Sequence, residues 1–337
     1  MHMLEIPRPY LIFIGDNPEP LDVKTGVGIL EWRPEWCMGQ YRFEGGCDLG
    51  LKDFSPAAAA AAGAATMVVG GASFGGKLPP EWEAAIAEAI EAGLNVASGL
   101  HDRLHSRPQL VERAEAKGVR LFDVRSLPPG FAPPVASGVR RSGKRLLTVG
   151  TDCAVGKKFT ALALERDMRA LGMKATFRAT GQTGVLISGG GLAIDAIVAD
   201  FLAGAVELLS PANDADHWDV IEGQGSLFHP AYAAVSMGLL HGSQPDAFVL
   251  CHEATRDRVL GYEAFPTPEL QACIDLHVAN GRRLNPDIRC IGVSLNTSRL
   301  SPEDRAGALA AVEDRLGMPC VDPAVTGTKL LIAQLPL

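Results

Sequence analysis

The feature that most constrains the fold of this chain is a loop at residues 150–157, which begins with Gly150 and ends with Gly156 and Lys157. The apolar segment 146–149 predicts a strand before the loop, and the apolar spacing over 159–171 predicts a helix after it. Backbone N–H groups of such a loop converge on an anion, and the helix N-terminus and the lysine add positive charge. The segment predicts a phosphate-binding loop, with an ordinary strand–turn–helix connection as the alternative.

The same alternation of strands and helices continues through the second half of the chain. Short apolar runs mark the strands, and apolar residues at helical spacing mark the helices. The pattern predicts a doubly wound parallel α/β domain of the P-loop type. The predicted elements are strands at 175–178, 220–221, 247–250 and 290–293, and helices around 193–207, 232–241, 267–279 and 302–316.

The first half of the chain predicts a smaller Rossmann-like domain with its own parallel sheet. Prolines at positions 128, 129, 133 and 134 block both helix and central strand, so they predict a linker. We therefore expect an N-terminal domain at 1–135 and a P-loop domain at 136–337. The predicted elements of the first domain are strands at 10–14, 66–71, 94–99 and 120–124, and helices at 81–92 and 108–117.

Composition excludes several classes of function. A formal net charge of −8 disfavours nucleic acid as a partner, because nucleic-acid binding needs a clustered basic surface. Seven cysteines without a CxxC pair, and no export signal, predict reduced thiols in the cytoplasm. No apolar run approaches the ~20 residues that span a bilayer. We expect a soluble cytoplasmic protein without a membrane partner.

Lys158 occupies the position where ATP and GTP enzymes of this class carry a serine or threonine that ligates Mg²⁺. An ammonium group cannot ligate a cation and would repel one. Thr160 lies two residues further on, where a helix would point it away from the loop. The sequence therefore predicts a phosphate carried without magnesium, such as that of coenzyme A, and no metal is expected.

Polar residues also follow other predicted strands, where open α/β sheets place their ligands. Glu222 follows the strand at 220–221, and Arg178 opens a polar stretch that includes Thr183. His229 and His252 fall just past predicted strands, and either could take a proton near neutral pH. For the acid and for the polar stretch the alternative is a strand-ending turn, and for each histidine it is a structural hydrogen bond.

The long motifs of the chain resemble known families. The loop, G-T-D-x-x-V-G-K, and the segment Glu222-Gly223-Gln224-Gly225 resemble dethiobiotin synthetase and its P-loop relatives. Over nearly its full length the chain resembles the D-glutamate N-acetyltransferase family, formerly a P-loop family of unknown function. That resemblance is carried by the segments at 32–35, 39–42, 97–101, 141–153, 174–184 and 221–229.

The resemblance to the acetyltransferases implies transfer of the acetyl group of acetyl-CoA to the amine of D-glutamate, giving N-acetyl-D-glutamate in D-glutamate catabolism. It also implies a homo-oligomer. The reaction needs a neutral amine, a polarised thioester carbonyl and anchors for two carboxylates. The expected cofactor-binding residues are Gly150, Thr151, Asp152, Cys153, Ala154, Val155, Gly156, Lys157 and Lys158; the expected catalytic residues are Glu222, His229 and Lys157; the expected substrate-binding residues are Arg178, Thr183, Ser226 and Arg42.

Within these sets the roles remain hypotheses. Glu222 or His229 would take the amine proton, and Lys157 or backbone N–H groups would stabilise the oxyanion. An acyl-cysteine on Cys153 is a less favoured route, which would depend on Lys157 and the loop N–H groups lowering the pKa of its thiol.

Two other functions fit the same motifs. A Mg-ATP-dependent kinase or ligase acting on a small carboxylate is favoured by the loop and by Glu222, but Lys158 disfavours it. A non-catalytic nucleotide-binding module is disfavoured by the polar residues gathered at several strand ends.

Overall fold

The computed structural model describes residues 4–73, 77–127 and 130–336, and the chain divides into two compact units. The first unit combines Met1–Phe131 with Gly181–Ala196, and the second combines Ala132–Thr180 with Ile197–Leu337. Pro128 and Pro129 of the predicted linker lie outside the described residues. The domain boundary at 135/136 stays a prediction, but residues 181–196, which it assigns to the second domain, belong to the first unit.

Strands and helices alternate along the described chain and are numbered here in chain order. The strands are β1 (Leu4–Glu5), β2 (Tyr10–Gly15), β3 (Cys37–Arg42), β4 (Thr66–Val69), β5 (Asn95–Ser98), β6 (Leu121–Asp123), β7 (Lys144–Gly150), β8 (Ala175–Arg178), β9 (Gly190–Gly191), β10 (Trp218–Ile221), β11 (Ala247–Glu253), β12 (Arg258–Val259), β13 (Tyr262–Pro266), β14 (Arg289–Asn296) and β15 (Cys320–Val321). The helices are α1 (Lys24–Trp32), α2 (Pro56–Ala61), α3 (Pro80–Glu91), α4 (Pro108–Lys117), α5 (Lys157–Ala170), α6 (Gln182–Ser188), α7 (Ala199–Leu209), α8 (Ala233–Ser243), α9 (Leu270–Gly281), α10 (Pro302–Leu316) and α11 (Lys329–Ile332).

The first unit contains a five-stranded parallel sheet in the order β3-β2-β4-β5-β6. Every residue of β2 is buried, because a central parallel strand is covered on both faces and so needs a continuous apolar run. Phe13 packs edge-on against Trp82 of α3, with ring centroids 5.2 Å apart. This parallel sheet with covering helices confirms the predicted Rossmann-like class.

The second unit contains a six-stranded parallel sheet in the order β15-β14-β11-β7-β10-β8. Strand β7 lies between β10 and β11; the chain adds β8 and then β10 on one side of it, and β11, β14 and β15 on the other. The carboxyl ends of β7, β10 and β11 therefore share one edge at the point where the strand order reverses. Open α/β sheets bind their ligands at such a switch point, so this edge is where a site is expected.

Several elements, among them β3, α1, α6, β12 and β13, were missed by the sequence prediction. Strand β3 carries no apolar run; its Gln40 is buried and donates from Nε2 to Asp48 and Asp53. Helix α6 and the hairpin β12–β13 are short, and β13 is exposed along its whole length. Periodicity detects burial, so short, polar or exposed elements give it little signal. No helix of the described chain is long and apolar enough to cross a membrane.

Candidate functional site

The loop after β7 has the backbone geometry of an anion site. Ala154 and Gly156 have left-handed φ angles of 55° and 104°, and Gly156 is the N-cap of α5. In the described part of the chain, the N–H groups of Ala154, Val155 and Gly156 have no hydrogen-bond partner. Unpaired donors at the start of a helix attract an anion, so this loop is a candidate anion site.

Two glycines let the loop and the neighbouring strand ends pack closely. A Cβ on Gly150 would lie 2.8 Å from Val155 Cγ2 and 3.1 Å from Lys157 Nζ. A Cβ on Gly223 would lie 1.7 Å from the carbonyl oxygen of Thr148. The N–H of Gly223 donates to Thr148 Oγ1 at 3.0 Å, which joins the segment after β10 to β7.

Lys157 lies inside the loop. Its Nζ donates to the carbonyl oxygen of Asp152 at 2.7 Å, and its side chain is almost fully buried. Burial lowers the pKa of Lys157, while Cys153, Cys251, Asp152 and Glu222 act in the opposite direction. A bound anion would restore the stability of the ammonium form.

Asp152 holds the loop in shape. Its Oδ2 accepts from Arg256 Nη1 and from the N–H of Leu260, both at 2.8 Å, and its Oδ1 accepts from the N–H of Cys153. Arg256 also donates from Nε to Glu253 at 3.0 Å. Burial alone would raise the pKa of Glu253, but hydrogen bonds from Thr255 and Arg256 hold it below its usual value. The buried network ties the loop to the end of β11 and to the hairpin β12–β13.

Glu222 follows β10 and is buried. Its Oε2 accepts from the N–H of Thr180 at 2.9 Å, and its carbonyl oxygen accepts from Thr180 Oγ1 at 2.7 Å. Gln224 donates to the same hydroxyl at 3.2 Å. The negative charge of Glu222 acts to raise the pKa of Lys157. The structure therefore brings two of the predicted catalytic residues into one charged group beside the loop.

His229 lies near Asp152 and Cys153 of the loop and is 2% exposed. Its Nδ1 accepts from the N–H groups of Ala231 and Tyr232 at 3.1 and 3.2 Å. Its Nε2 is 3.8 Å from Asp152 Oδ1, which is beyond hydrogen-bond distance. Its ring packs on those of Tyr232 and Tyr262, with centroids 4.6 and 5.2 Å away.

Two further predicted residues, Thr151 and Ser226, make hydrogen bonds that hold the loop. Thr151 Oγ1 lies 2.9 Å from His252 Nδ1, and burial lowers the pKa of His252 to about 4. Ser226 is fully buried and donates to the carbonyl oxygen of Thr151 at 3.0 Å. The hydroxyl of Ser226 is thus used to hold the loop, a role that its sequence position did not reveal.

The fold also assembles a group that sequence analysis missed. Ligand atoms of Asp152, Cys153 and His229 lie within 4.8 Å of one another, a donor set that can hold a metal ion. The expected lowering of the pKa of Cys153 is wrong. Burial raises it, and Asp152 adds to that effect while Lys157 and Arg256 oppose it. A thiol in this state is a poor nucleophile at neutral pH.

An aromatic surface borders the loop. Tyr262 packs against Phe265 with ring centroids 6.3 Å apart, and both residues lie on the exposed strand β13. Phe228 and Tyr232 are exposed as well, on the segment that precedes α8. Because His229 packs on Tyr232 and Tyr262, it links these two exposed segments to the loop.

With this geometry established, the chain can be compared with known proteins. A family model described as a DUF1611 C-terminal P-loop domain matches residues 134–332, and a DUF1611 N-terminal Rossmann-like domain matches residues 42–127. The chain belongs to the DUF1611 family. The match confirms both the predicted family and the predicted combination of a Rossmann-like domain and a P-loop domain.

Named relatives of this DUF1611 chain are similar over its whole length. It is 48% identical over 331 residues to a D-glutamate N-acetyltransferase from Tritonibacter scottomollicae, a match that covers 98% of this chain and 99% of the relative. It is 45% identical over 334 residues to one from a Pseudoalteromonas species, covering 98% and 100%. The crystal structure of a DUF1611 family protein from Anabaena variabilis superposes with a TM-score of 0.81 at 30% identity, covering 97% and 99%.

The remaining predicted residues of this DUF1611 chain are Arg178 in the second unit, and Arg42 and Thr183 in the first. Arg178 Nε donates to Asp219 Oδ1 at 2.8 Å, and Asp219 is buried. Arg42 binds both carboxylate oxygens of Asp53, at 2.9 and 3.0 Å. Both arginines are thus paired with carboxylates of this chain, a pairing that single-sequence reasoning could not see.

The hydroxyl of Thr160 in α5 is already engaged in hydrogen bonds within the protein. Its Oγ1 donates to the carbonyl oxygen of Gly156 at 3.0 Å and lies 2.8 Å from Ser294 Oγ. The expectation that Thr160 does not replace the missing magnesium ligand of the family loop is consistent with these contacts.

Proposed function

We propose that this chain is an N-acetyltransferase that moves the acetyl group of acetyl-CoA to the amine of D-glutamate, giving N-acetyl-D-glutamate in D-glutamate catabolism. The observation that carries the proposal is the match over at least 98% of the chain to two proteins named D-glutamate N-acetyltransferase. The site geometry supports it, because the second unit combines an anion-binding loop with a buried carboxylate and a buried lysine. A cytoplasmic location and a homo-oligomeric state stay predictions.

The loop at 150–158 supports acetyl-CoA as the acyl donor. Its unpaired N–H groups and Lys157 suit a phosphate, and Lys158 stands where a magnesium-dependent enzyme needs a hydroxyl. The exposed rings of Tyr262 and Phe265 border the loop and suit the adenine and the apolar arm of such a donor. The proposal therefore includes no metal.

Glu222 and His229 are the candidate acceptors of the amine proton in this reaction. Lys157 and the loop N–H groups are the candidate partners of a donor oxygen, through a hydrogen-bond effect that is worth about 3 kcal/mol in acyl transfer. For the carboxylates of D-glutamate we keep Arg178, Arg42, Thr183 and Ser226 as proposals. A substrate carboxylate would have to compete with Asp219 for Arg178 and with Asp53 for Arg42.

A magnesium-dependent kinase or ligase is the second candidate, since the loop with Glu222 beside it also suits ATP. A non-catalytic nucleotide-binding module is the third. The deciding experiment follows thiol release from acetyl-CoA with D-glutamate, L-glutamate or no amine, in the presence of EDTA. Thiol release that requires D-glutamate and survives chelation is the expected result. No release with any amine would contradict the proposal, and ADP formation with ATP, magnesium and an amino acid would support the second candidate.

A further inference from the structure

The hydrogen bonds of His229 determine where its ring proton lies. Two backbone N–H groups, of Ala231 and Tyr232, point at Nδ1 from 3.1 and 3.2 Å. A ring nitrogen that accepts hydrogen bonds must carry a lone pair and no hydrogen. In the neutral ring the proton therefore resides on Nε2, so that Nε2–H is a donor without a free lone pair.

The charged form of this ring is also disfavoured. An imidazolium would direct an Nδ1–H against two other N–H groups, at a point just before α8 begins at Ala233. Burial is the largest cause that lowers the pKa of His229; Lys157 adds to it and Asp152 opposes it. The groups that face the ring are Asp152, Cys153 and Lys157, together with Tyr232 and Tyr262. The two backbone N–H groups at Nδ1 thus favour the neutral ring over the charged one.

This protonation state conflicts with two roles that proximity alone would allow. A general base needs a free lone pair directed at its substrate, and a metal ligand needs one directed at the ion. Nε2 has no free lone pair for either role while Nδ1 accepts hydrogen bonds from the backbone. Both carboxylate oxygens of Asp152 are moreover occupied, by Arg256, Leu260 and Cys153.

We propose that His229 is a neutral hydrogen-bond donor, which presents its Nε2–H to an oxygen of acetyl-CoA bound at the loop, and is neither the base nor a metal ligand. The identity of the acceptor rests on the proposed function; the protonation state does not. Of the two candidate bases, Glu222 is then the one that accepts the amine proton.

Acetyl-CoA offers two kinds of acceptor oxygen, on its phosphates and on its thioester carbonyl. The extended arm between them has a length of roughly 15 Å, by the reach of a comparable chain of single bonds and amides. A fixed donor beside the loop therefore contacts one of these oxygens and not the other. A thioester that lacks phosphates, such as S-acetyl-N-acetylcysteamine, distinguishes the two.

The first test measures the protonation state directly in the wild-type protein. Nitrogen-15 NMR of labelled histidine, assigned with the His229→Gln variant, reports which ring nitrogen carries the proton at pH 7. We expect a protonated Nε2 and an unprotonated Nδ1. A proton on Nδ1, or on both nitrogens, would overturn the proposal whether or not the protein proves to be an acetyltransferase.

The second test compares His229→Ala with His229→Gln, which keeps a donor near the Nε2 position. For His229→Ala we expect kcat/KM for acetyl-CoA to fall on the order of 10- to 100-fold, as for loss of a hydrogen bond to a charged acceptor, with both limbs of the pH profile retained. In His229→Gln we expect kcat/KM for acetyl-CoA to recover in part. A similar fall with S-acetyl-N-acetylcysteamine assigns the contact to the thioester, and no fall assigns it to a phosphate.

Two kinetic results would overturn the proposal. Loss of the acidic limb of the pH profile in His229→Ala would identify His229 as the base, and unchanged kinetics would exclude any contact. His105→Ala, at an exposed histidine of the first unit, is the matched control. Thermal unfolding of each variant separates a loss of fold from a loss of contact, and a wild type without activity refutes the proposed function instead.

Discussion

Arg178 forms an ion pair with Asp219 and is also a proposed anchor for a substrate carboxylate, so its structural and substrate-binding roles have to be distinguished. Arg178 is largely buried and Asp219 is 2% exposed. Ser210 also donates to Asp219, at 2.6 Å. Because removal of one partner leaves a buried charge, we expect Arg178→Met to lower the free energy of unfolding by about 3 kcal/mol.

Chemical denaturation measures that loss, and steady-state kinetics of the folded variant measure the KM for D-glutamate. A raised KM is expected, because Arg178 is one of the proposed anchors for a substrate carboxylate. The double variant Arg178→Met/Asp219→Asn serves as the control, because it removes the charge that is left unpaired and should recover part of the stability. An unchanged KM in both variants would instead confine Arg178 to its ion pair with Asp219.

Gly223 gives a second prediction at the same scale. A Cβ there would lie 1.7 Å from the carbonyl oxygen of Thr148, a backbone atom that cannot move without shifting β7. We expect Gly223→Ala to lower the free energy of unfolding by more than about 3 kcal/mol. The matched variant is Gly307→Ala in α10, where a Cβ meets open space. There alanine should add ~0.5–1 kcal/mol. Thermal unfolding of both variants checks the pair, and equal effects would contradict the packing argument.

Single residues also show how far the sequence predicts the site. The loop and Glu222 could be found because each belongs to one contiguous motif with a known chemical use. Arg256 could not, since it contacts Asp152 across 104 residues of chain. The donor state of His229 depends on two backbone N–H groups, whose directions no residue type specifies.

At the level of elements, the hairpin β12–β13 and the loop are joined through Arg256. This side chain binds Asp152 and Glu253, which are both buried, and is itself 10% exposed. We expect Arg256→Gln to loosen the loop and raise the KM for acetyl-CoA by roughly 10-fold, the cost of a lost charge-assisted hydrogen bond. Arg258→Gln on the exposed face of β12 is the control. A lower kcat with an unchanged KM would argue against this role.

Strands that are buried on both faces were predicted well, and so were helices with an apolar and a polar face. Helix α4, which buries Leu110 and Ala114, matches its predicted range of 108–117, and α10 matches 302–316 although it has no buried residue. Strand β13 is exposed at every residue, so its sequence carries no alternation between a buried and an exposed face. The prediction therefore failed at this hairpin because exposed residues leave no burial pattern in the sequence.

For the whole molecule, buried histidines predict how stability depends on pH. Burial lowers the pKa of His252 and of His277 to about 4 each. The unfolded chain takes up these protons near pH 6.5. Stability should therefore fall as the pH drops from about 6.5 towards 4, by ~2 kcal/mol for each histidine at pH 5.

Urea unfolding at pH 7 and pH 5 measures this loss. His277→Leu should reduce the difference between the two pH values by ~2 kcal/mol, because it removes one of the two protons that unfolding takes up. His101→Gln, at an exposed position, is the control. A pH dependence that is unchanged in His277→Leu would show that other groups cause the acid sensitivity.

The assignment of Gly181–Ala196 to the first unit has a consequence for how such genes can be cut and recombined. The chain leaves the first unit, begins the second, and returns before completing it. A fragment that starts at residue 136 would carry α6, with buried Val185, Leu186 and Ile187, away from α1 on which it packs. Neither unit can therefore be exchanged as one contiguous cassette, and any shuffling that preserves both sheets must respect three crossovers instead of one.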